Sequence, residues 1–492
     1  MNMSSTAVSD KRVKYFFLLA AFVIILFIPT IGEKRLWRTD EPRVAGISAE
    51  MARADDWSMP KLNGKPFLEY PPLYYWVTAG FFDAFGRSAF TARLCSGLAA
   101  IFAVLIIYLL TLKMRFDPLT SFLSGVVLAT SAQFWAIANR CLVDMTLCMF
   151  IVAAMASFYA LHKDIIEKKS SFIIKLLLFL AFSASMALGI LTKSLLGLAI
   201  PSCALFFWLI SEMIWNKRIY IKSWILLILG SILCLVPAAL WVWKLYERHG
   251  YEIAYTATWK NTIARFTGSY AQHDNPFYYY FEKLPGQFLP WTVIFVLVII
   301  VLIAHRHRHL FTLNVNMRFV TTWFIFPFIL LCTSSAKRSV YLLPLYPPLA
   351  LFTAIMAMKI INESFFLSKF NWRKIIIRFS ILLLIIFVIV GIMTAVLFNN
   401  KYSFYPIYKC YKSIDNSHKT LYLYRPDEVS MGAVNFYLNQ DAEVINKVNK
   451  LEKILSNKNN FVITERGNPL GSAKIMKSFI VKGKHWYILN EG

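Results

Sequence analysis

The sequence predicts a polytopic α-helical membrane protein of about eleven or more spans, with an external helical first loop and a small C-terminal α/β domain. Three observations carry that expectation. Of the 492 residues, 58% are hydrophobic and 16% charged, with a mean hydropathy of +0.54, more apolar surface than a soluble domain can hide. Apolar runs long enough to cross a hydrocarbon layer of about 30 Å recur along the chain. Between them, basic residues gather in every second loop.

The runs lie near 15-32, 89-112, 119-136, 141-161, 172-192, 194-213, 222-243, 287-304, 319-334, 340-358 and 375-398. The first is followed by no small-residue cleavage site and reads as a true span, not a signal peptide. Lys11, Arg12 and Lys14 precede it, which sets the N-terminus in the cytoplasm. Alternation then makes 113-118, 162-171, 214-222, 305-318 and 359-374 inner loops, and each of them is basic. The net charge of +25 is thereby spent on topology and lipid contact, and nucleic acid is not an expected partner. His305-Arg306-His307-Arg308-His309 falls in such a loop and reads as part of this basic belt, not as a metal tract.

The outer segment 33-88 breaks the pattern by mixing eight Lys and Arg with eight Asp and Glu. Helical spacing runs from Glu41 to Arg53, and turns are marked at Met59-Pro60 and Asn63-Gly64. An odd number of spans leaves the C-terminal region outside as well. The expected division is a transmembrane domain over 1-398, including the 33-88 loop, and an external α/β domain over 399-492. In the latter, 420-424, 461-464 and 486-489 read as strands, and 429-438 and 445-456 as helices. The seven cysteines show no paired spacing and read as packing residues.

Placed on this topology, the ionisable residues near the spans converge on one membrane face. Asp40, Glu41 and Glu69 lie in the first outer loop, Asp144 at the outer start of the fourth span, and Lys193 at the outer turn between the fifth and sixth. Arg265 and His273 belong to the next outer loop, and Lys337-Arg338 to the turn after the ninth span. Charged groups at such positions are costly unless paired or functional, so a one-sided set of acids and bases marks a site. Each has a plainer reading beside it. Asp40 is placed to cap the helix that begins at Pro42, and Asp144 to pair with Arg140 one turn away. Lys193 is placed to snorkel to headgroups, Glu69 to pair with Lys65 at the surface, and His273 to be merely solvated. No phosphate loop, Ser-His-Asp arrangement or internal repeat is evident, so neither ATP-driven chemistry nor a repeat-built transporter is favoured.

The motifs in order carry a resemblance. Trp57 to Trp76, closing on Phe67-Leu68-Glu69-Tyr70-Pro71-Pro72-Leu73-Tyr74-Tyr75-Trp76, is followed by Arg140 to Asp144, Leu191-Thr192-Lys193 and Asn261 to Gly268. His273, Pro276 to Tyr279, Leu289 to Thr292, and Ala336-Lys337 to Pro344 complete the series. Over roughly 15-360 the sequence resembles the lipid-linked-sugar glycosyltransferases of the C-type fold, most closely the bacterial aminoarabinose-transferase and protein-mannosyltransferase-like group. The resemblance implies a bacterial inner-membrane enzyme whose active site and C-terminal domain face the periplasm. Its implied donor is an undecaprenyl-phosphate sugar, and its acceptor lipid A, another envelope glycolipid, or a protein Ser or Thr. It implies catalytic roles for Asp40, Glu41 and Asp144, donor-phosphate contacts from Lys193, Arg265, Lys337, Arg338 and residue 70, and substrate contacts from Glu69 and Tyr341. A divalent metal held by Glu69 and His273, as in parts of the family, is a further implied option. The family pattern has Lys where this chain has Tyr70, which removes a fixed charge from the expected phosphate site. Transfer from such a donor builds negative charge on the leaving phosphate, and cations beside it act most strongly in a water-poor site. Asp40 is the expected base for a hydroxyl acceptor, or the group that orients an acceptor already ionised.

Overall fold

The computed structural model describes residues 3–37, 40–168, 170–264, 275–304, 313–334, 336–364, 367–414, 419–465 and 474–490. Among them, nine helices are long and apolar enough to cross a bilayer, and two bent pairs bring the number of spans to as many as eleven. The polytopic helical fold expected from the sequence is therefore present. Helices Ala89–Lys113, Val143–Glu167, Val315–Thr333 and Ser339–Glu363 form the inner bundle, where most side chains are buried. Phe172–Lys193, Ile221–His249 and Trp372–Tyr402 lie outside it and keep large apolar side chains such as Phe172, Ile221 and Val396 exposed, as lipid-facing helices do.

Two of the expected straight spans are broken. The run 119-136 is Pro118–Ala129 plus Ala132–Ala138, bent by 68°, and the run 287-304 is essentially Trp291–Ile303, joined across a bend of 107° to a preceding helix, Tyr279–Gln287, that lies before the expected run. The breaks face each other. Ala132 N donates to Leu289 O at 2.8 Å, and Trp291 Nε1 to Thr130 Oγ1 at 2.9 Å. Each bend thus supplies partners for backbone and side-chain groups that hydrocarbon would leave unsatisfied.

After the first span the chain turns into the helix expected in the outer loop, Glu41–Arg53, with the bounds the spacing predicts. A small hairpin follows, β1 (Lys61–Leu62) and β2 (Lys65–Pro66). Asn63 and Gly64 sit at its turn with φ of 54° and 76°, the left-handed pair that a two-residue hairpin needs and that Asn-Gly adopts readily.

The C-terminal region carries a five-stranded sheet: β3 (Thr420–Tyr424), β4 (Glu443–Ile445), β5 (Asn460–Thr464), β6 (Lys474–Val481) and β7 (Lys484–Asn490), in the order β4-β3-β5-β7-β6. The first three are parallel, and β7 and β6 add antiparallel. Helices Tyr405–Ser413, Glu428–Leu438 and Val448–Leu455 pack with it. Sequence reading misses β4 and β6. β4 is only three residues, and the helix expected from 445 begins at Val448. β6 is an edge strand exposed along nearly its whole length, so its lysines break the alternation that marks a half-buried strand. All seven cysteines are free.

Candidate active site

The site is built on the turn that leaves the first span. Arg93, at the start of the helix Ala89–Lys113, is fully buried and donates to the carbonyls of Ile31 (2.9 Å), Lys34 and Arg35 (2.8 Å). These are carbonyls that the end of a helix leaves without partners. The same guanidinium holds Glu41 through Nε at 2.7 Å and Nη2 at 3.0 Å. Glu41 also accepts from the amides of Trp37 (3.0 Å) and Cys141 (2.9 Å). Expected beside Asp40 as a catalytic carboxylate, Glu41 instead sits in a buried brace that fixes the turn, and it lines neither of the two cavities at the site.

Asp40 is different. It stands at the N-cap position of the helix Glu41–Arg53 but makes no capping hydrogen bond. Its carboxylate accepts from Arg43 Nη2 at 3.0 Å and from Arg338 Nη2 at 2.8 Å. Pro at the first turn starts the helix without a side-chain cap, which leaves the carboxylate to the site. Arg43, one turn along, reaches Glu69 at 3.1 Å and Glu428 at 2.7 Å as well.

Two cavities meet here. The first is a polar cleft of about 610 Å³ whose charged walls are Asp40, Arg43, Arg140, Asp144 and Arg338. The second is a largely apolar groove of about 1130 Å³ running along Leu195, Leu196, Ala199, Leu330 and Leu331, with Glu69, Lys193, Asn261 and Tyr341 at its polar end. Tyr70 lines both. Lys193 forms an ion pair with Asp144 and lies 4.3 Å from the Tyr341 ring and 5.8 Å from that of Tyr70. Asp144 thus pairs with Lys193, while Arg140, which is exposed, has no acidic partner among the described residues.

Lys337 departs from expectation. It is buried, its Nζ donates to the carbonyls of Asn275 (3.0 Å) and Ser334 (2.6 Å), and it lines neither cavity. Arg265 and His273 lie outside the described residues. Among the described residues no set of three or more His, Cys, Asp or Glu is arranged to hold a metal ion. Glu69, the other residue of the expected metal pair, faces the Arg43 guanidinium, which already supplies it with a cation.

Burial pushes the Asp40 carboxyl up, but the guanidinium groups of Arg338 and Arg43 outweigh it and hold Asp40 below its ordinary range. Glu41 follows the same pattern: burial raises it, and Arg93 with the two backbone amides brings it down. Both are carboxylates at neutral pH. In the turn between them and the first span, burial and the charge of Arg93 lower the Lys34 ammonium to about 8, where it packs over the rings of Trp37 and Trp135 at 5.3 and 5.1 Å.

The structure brings together Asp40, Asp144, Glu69, Tyr70, Lys193, Arg338 and Tyr341 from the expected set. Sequence reading gave no site role to Arg43 or Arg93, and took Arg140 only as a motif residue and a partner for Asp144. Arg43 had a usable signal, three residues after Asp40 on one helical face. Arg93 had another, a lone cation inside an apolar run.

Comparison with known proteins agrees with this architecture. Residues 12–247 match the family model for dolichyl-phosphate-mannose-protein mannosyltransferase. An undecaprenyl phosphate-α-4-amino-4-deoxy-L-arabinose arabinosyl transferase of Edwardsiella ictaluri is 27% identical over 356 residues, 72% of this chain and 61% of the relative, so the chain spans about three fifths of that relative's length. The crystal structure of ArnT from Cupriavidus metallidurans bound to undecaprenyl phosphate superimposes with a TM-score of 0.76 at 17% identity, covering 96% of this chain and 97% of that one. The archaeal oligosaccharyltransferase AglB of Archaeoglobus fulgidus follows with a TM-score of 0.52 at 11% identity, over 92% of this chain and 69% of that one. The fold is that of the C-type (GT-C) membrane glycosyltransferases. The chain is a multi-pass membrane protein of that fold, and its sequence is similar to the aminoarabinose transferases.

Proposed function

We propose that the protein is a glycosyltransferase of the bacterial inner membrane that moves a sugar from an undecaprenyl-phosphate-type donor to lipid A or another envelope glycolipid at the periplasmic face. The observation that carries this reading is the meeting of an apolar groove with a charged cleft at a single residue, Tyr70. A polyprenyl chain fits the groove, with its phosphate at Lys193 and its sugar passing Tyr70 toward Asp40. The bond between the sugar's anomeric carbon and the phosphate oxygen breaks, and the phosphate departs with the bonding pair. An acceptor oxygen in the cleft forms the new bond to that carbon. Lys193 stabilises the phosphate as its charge grows, and the Asp144 carboxylate keeps the lysine in place.

Asp40, held by two guanidinium groups, is a poor base. It is suited to stabilising positive charge on the sugar or orienting the acceptor, which favours an acceptor oxygen that is already ionised over a Ser or Thr hydroxyl needing deprotonation. Arg140 on the same wall, without an acidic partner among the described residues, offers a cation to such an acceptor. In this reading Glu41 positions the turn, residues 1-398 carry the transfer site, and residues 399-492 form a periplasmic domain above it. The family's donor-phosphate Lys is not needed at position 70 if Lys193, Arg338 and Arg265 supply the charge.

The test is transfer by the purified protein in lipid nanodiscs, supplied with an undecaprenyl-phosphate sugar and lipid A and read by mass spectrometry of both lipids. A glycosylated lipid A with stoichiometric release of undecaprenyl phosphate is expected. Movement of the donor across the bilayer without transfer would assign the fold to transport instead. Orientation is read separately in whole cells: a Cys placed at exposed Lys65 should react with an impermeant thiol reagent, and one at exposed Lys217 should not.

A further inference from the structure

The helix Glu41–Arg53 does not stand alone. The helix Glu428–Leu438 of the C-terminal region crosses it, and at the crossing Gly46 and Gly432 approach so closely that a Cβ on either would collide with backbone of the other helix. Only glycine permits such an approach. The crossing is bolted along its length. Asn435 Nδ2 donates to the buried Glu50 carboxylate at 2.5 Å, and Glu50 also holds the amides of Asn63 (2.7 Å) and Gly64 (2.9 Å). Arg53 pairs with Asp441 at 2.9 Å.

At the other end, Glu428 opens its helix and reaches Arg43 Nη1 at 2.7 Å. The same nitrogen meets Glu69 at 3.1 Å, and Nη2 meets Asp40 at 3.0 Å. Arg43 Nε is buried with no hydrogen-bond partner among the described residues, so the carboxylates at the far end of the guanidinium fix its rotation. Asp40 and Glu69 belong to the transmembrane part of the site; Glu428 comes from outside it. We propose that Glu428 is a positioning residue for sugar transfer, clamping Arg43 so that one of its nitrogens stays on Asp40 while the other stays on Glu69. Glu428 lines neither cavity and acts only through Arg43. The C-terminal region thereby completes the catalytic site, an inference that rests on the transfer reading above.

The experiment uses the full chain in nanodiscs with Glu428→Gln, which is isosteric, half-exposed in the parent and not part of either helix's core contact. With saturating donor and acceptor, kcat should fall by about tenfold or more, the scale of one charge-assisted hydrogen bond, with the donor KM little changed. Glu428→Asp should recover most of the rate. The charges that face Asp40 are Arg43, Arg338 and Lys193, with Glu69 and Glu428 beyond Arg43. Without Glu428, Arg43 is free to leave Asp40, whose carboxylate then loses a neighbouring cation, so the acidic limb of kcat should move to higher pH, which a merely loosened fold would not do. An activity-independent readout accompanies these: modification of Arg43 by a dicarbonyl reagent, followed by peptide mass spectrometry, should be faster in Glu428→Gln than in the parent. Unchanged kcat, pH limb and Arg43 reactivity would overturn the clamp. A parent protein that transfers no sugar, with Arg43 still becoming more reactive in the variant, would leave the clamp standing and remove the transfer reading.

Discussion

The polar cleft and the apolar groove differ in almost every respect, yet Tyr70 belongs to the walls of both. In the cleft, charge is dense and cross-linked, with Asp40 shared by two arginines and Arg43 shared by three carboxylates. In the groove, Lys193 is the cation of the lining, neutralised by Asp144 and flanked by aromatic rings. The contrast teaches where chemistry and binding are divided. A site that must hold a lipid and also stabilise a transient ion needs both environments in contact, because neither alone supplies apolar area and a preorganised field. In the proposed transfer, the reacting bond lies at the boundary between them.

Separate damage to the two compartments breaks or supports that division. The largest effect is expected from Asp40→Asn, which should lower kcat by about 10²-fold or more, the scale of losing one preorganised electrostatic contact, while donor affinity measured by titration stays near the parent's. Equal losses of affinity and rate would mean that Asp40 serves the donor and that the division is wrong. The same residue predicts a pH response. Because its carboxyl is held below the ordinary range, transfer that needs the carboxylate should stay level as pH falls through 5 and decline only below about 4, the unperturbed Asp value. Its stabilising contribution likewise persists above the unfolded-state pKa and is lost as pH drops through the folded one. A rate that is already halved at pH 6 would contradict this environment.

Next in size, Lys193→Met should weaken donor binding by about 1.5–3 kcal/mol, the range for a hydrogen bond to a charged group. It also leaves Asp144 buried without its partner, so the comparison is best made with Asp144→Asn added. If the double variant regains thermal stability but not donor affinity, the lysine binds phosphate; recovery of both would make the pair structural. A smaller effect is expected at Arg140→Ala, which should raise the acceptor KM about tenfold, again one charge-assisted contact, and leave the donor KM alone. A shift confined to the donor would place this arginine on the wrong side of Tyr70. The smallest change is expected for Tyr70→Phe, since a ring dividing two cavities keeps its shape without the hydroxyl. A clear loss of donor affinity there would show that the phenol, and not the ring, contacts the phosphate.

Much of this site was legible in the sequence because membrane proteins advertise their charges. Asp144 and Lys193 stand out against apolar runs, and the positive-inside pattern puts them on the same face as Asp40, Glu69 and Arg338. What sequence spacing does not carry is the identity of partners. Asp144 had Arg140 one turn away, but the fold turns it to Lys193 on a different helix. Glu41 and Asp40 are neighbours in the chain, yet the peptide between them sends one carboxylate to Arg93 in the interior and the other to the cleft. Lys337 and Arg338 divide in the same way, toward backbone carbonyls and toward Asp40. Adjacent residues on an irregular turn point in different directions, and no periodicity announces which. The broken spans were hidden for a related reason: an apolar run has the same composition whether it is straight or bent by a hydrogen bond to a distant segment.

Those bends bear on how the protein is made. The segment 118–138 emerges long before Leu289 does, and the amide of Ala132 that Leu289 will accept from has no such partner in hydrocarbon. Insertion of the early segment is therefore not complete when its own residues have entered the bilayer. It is finished by the arrival of its counterpart, which ties the biogenesis of the first half of the membrane domain to successful synthesis of the second.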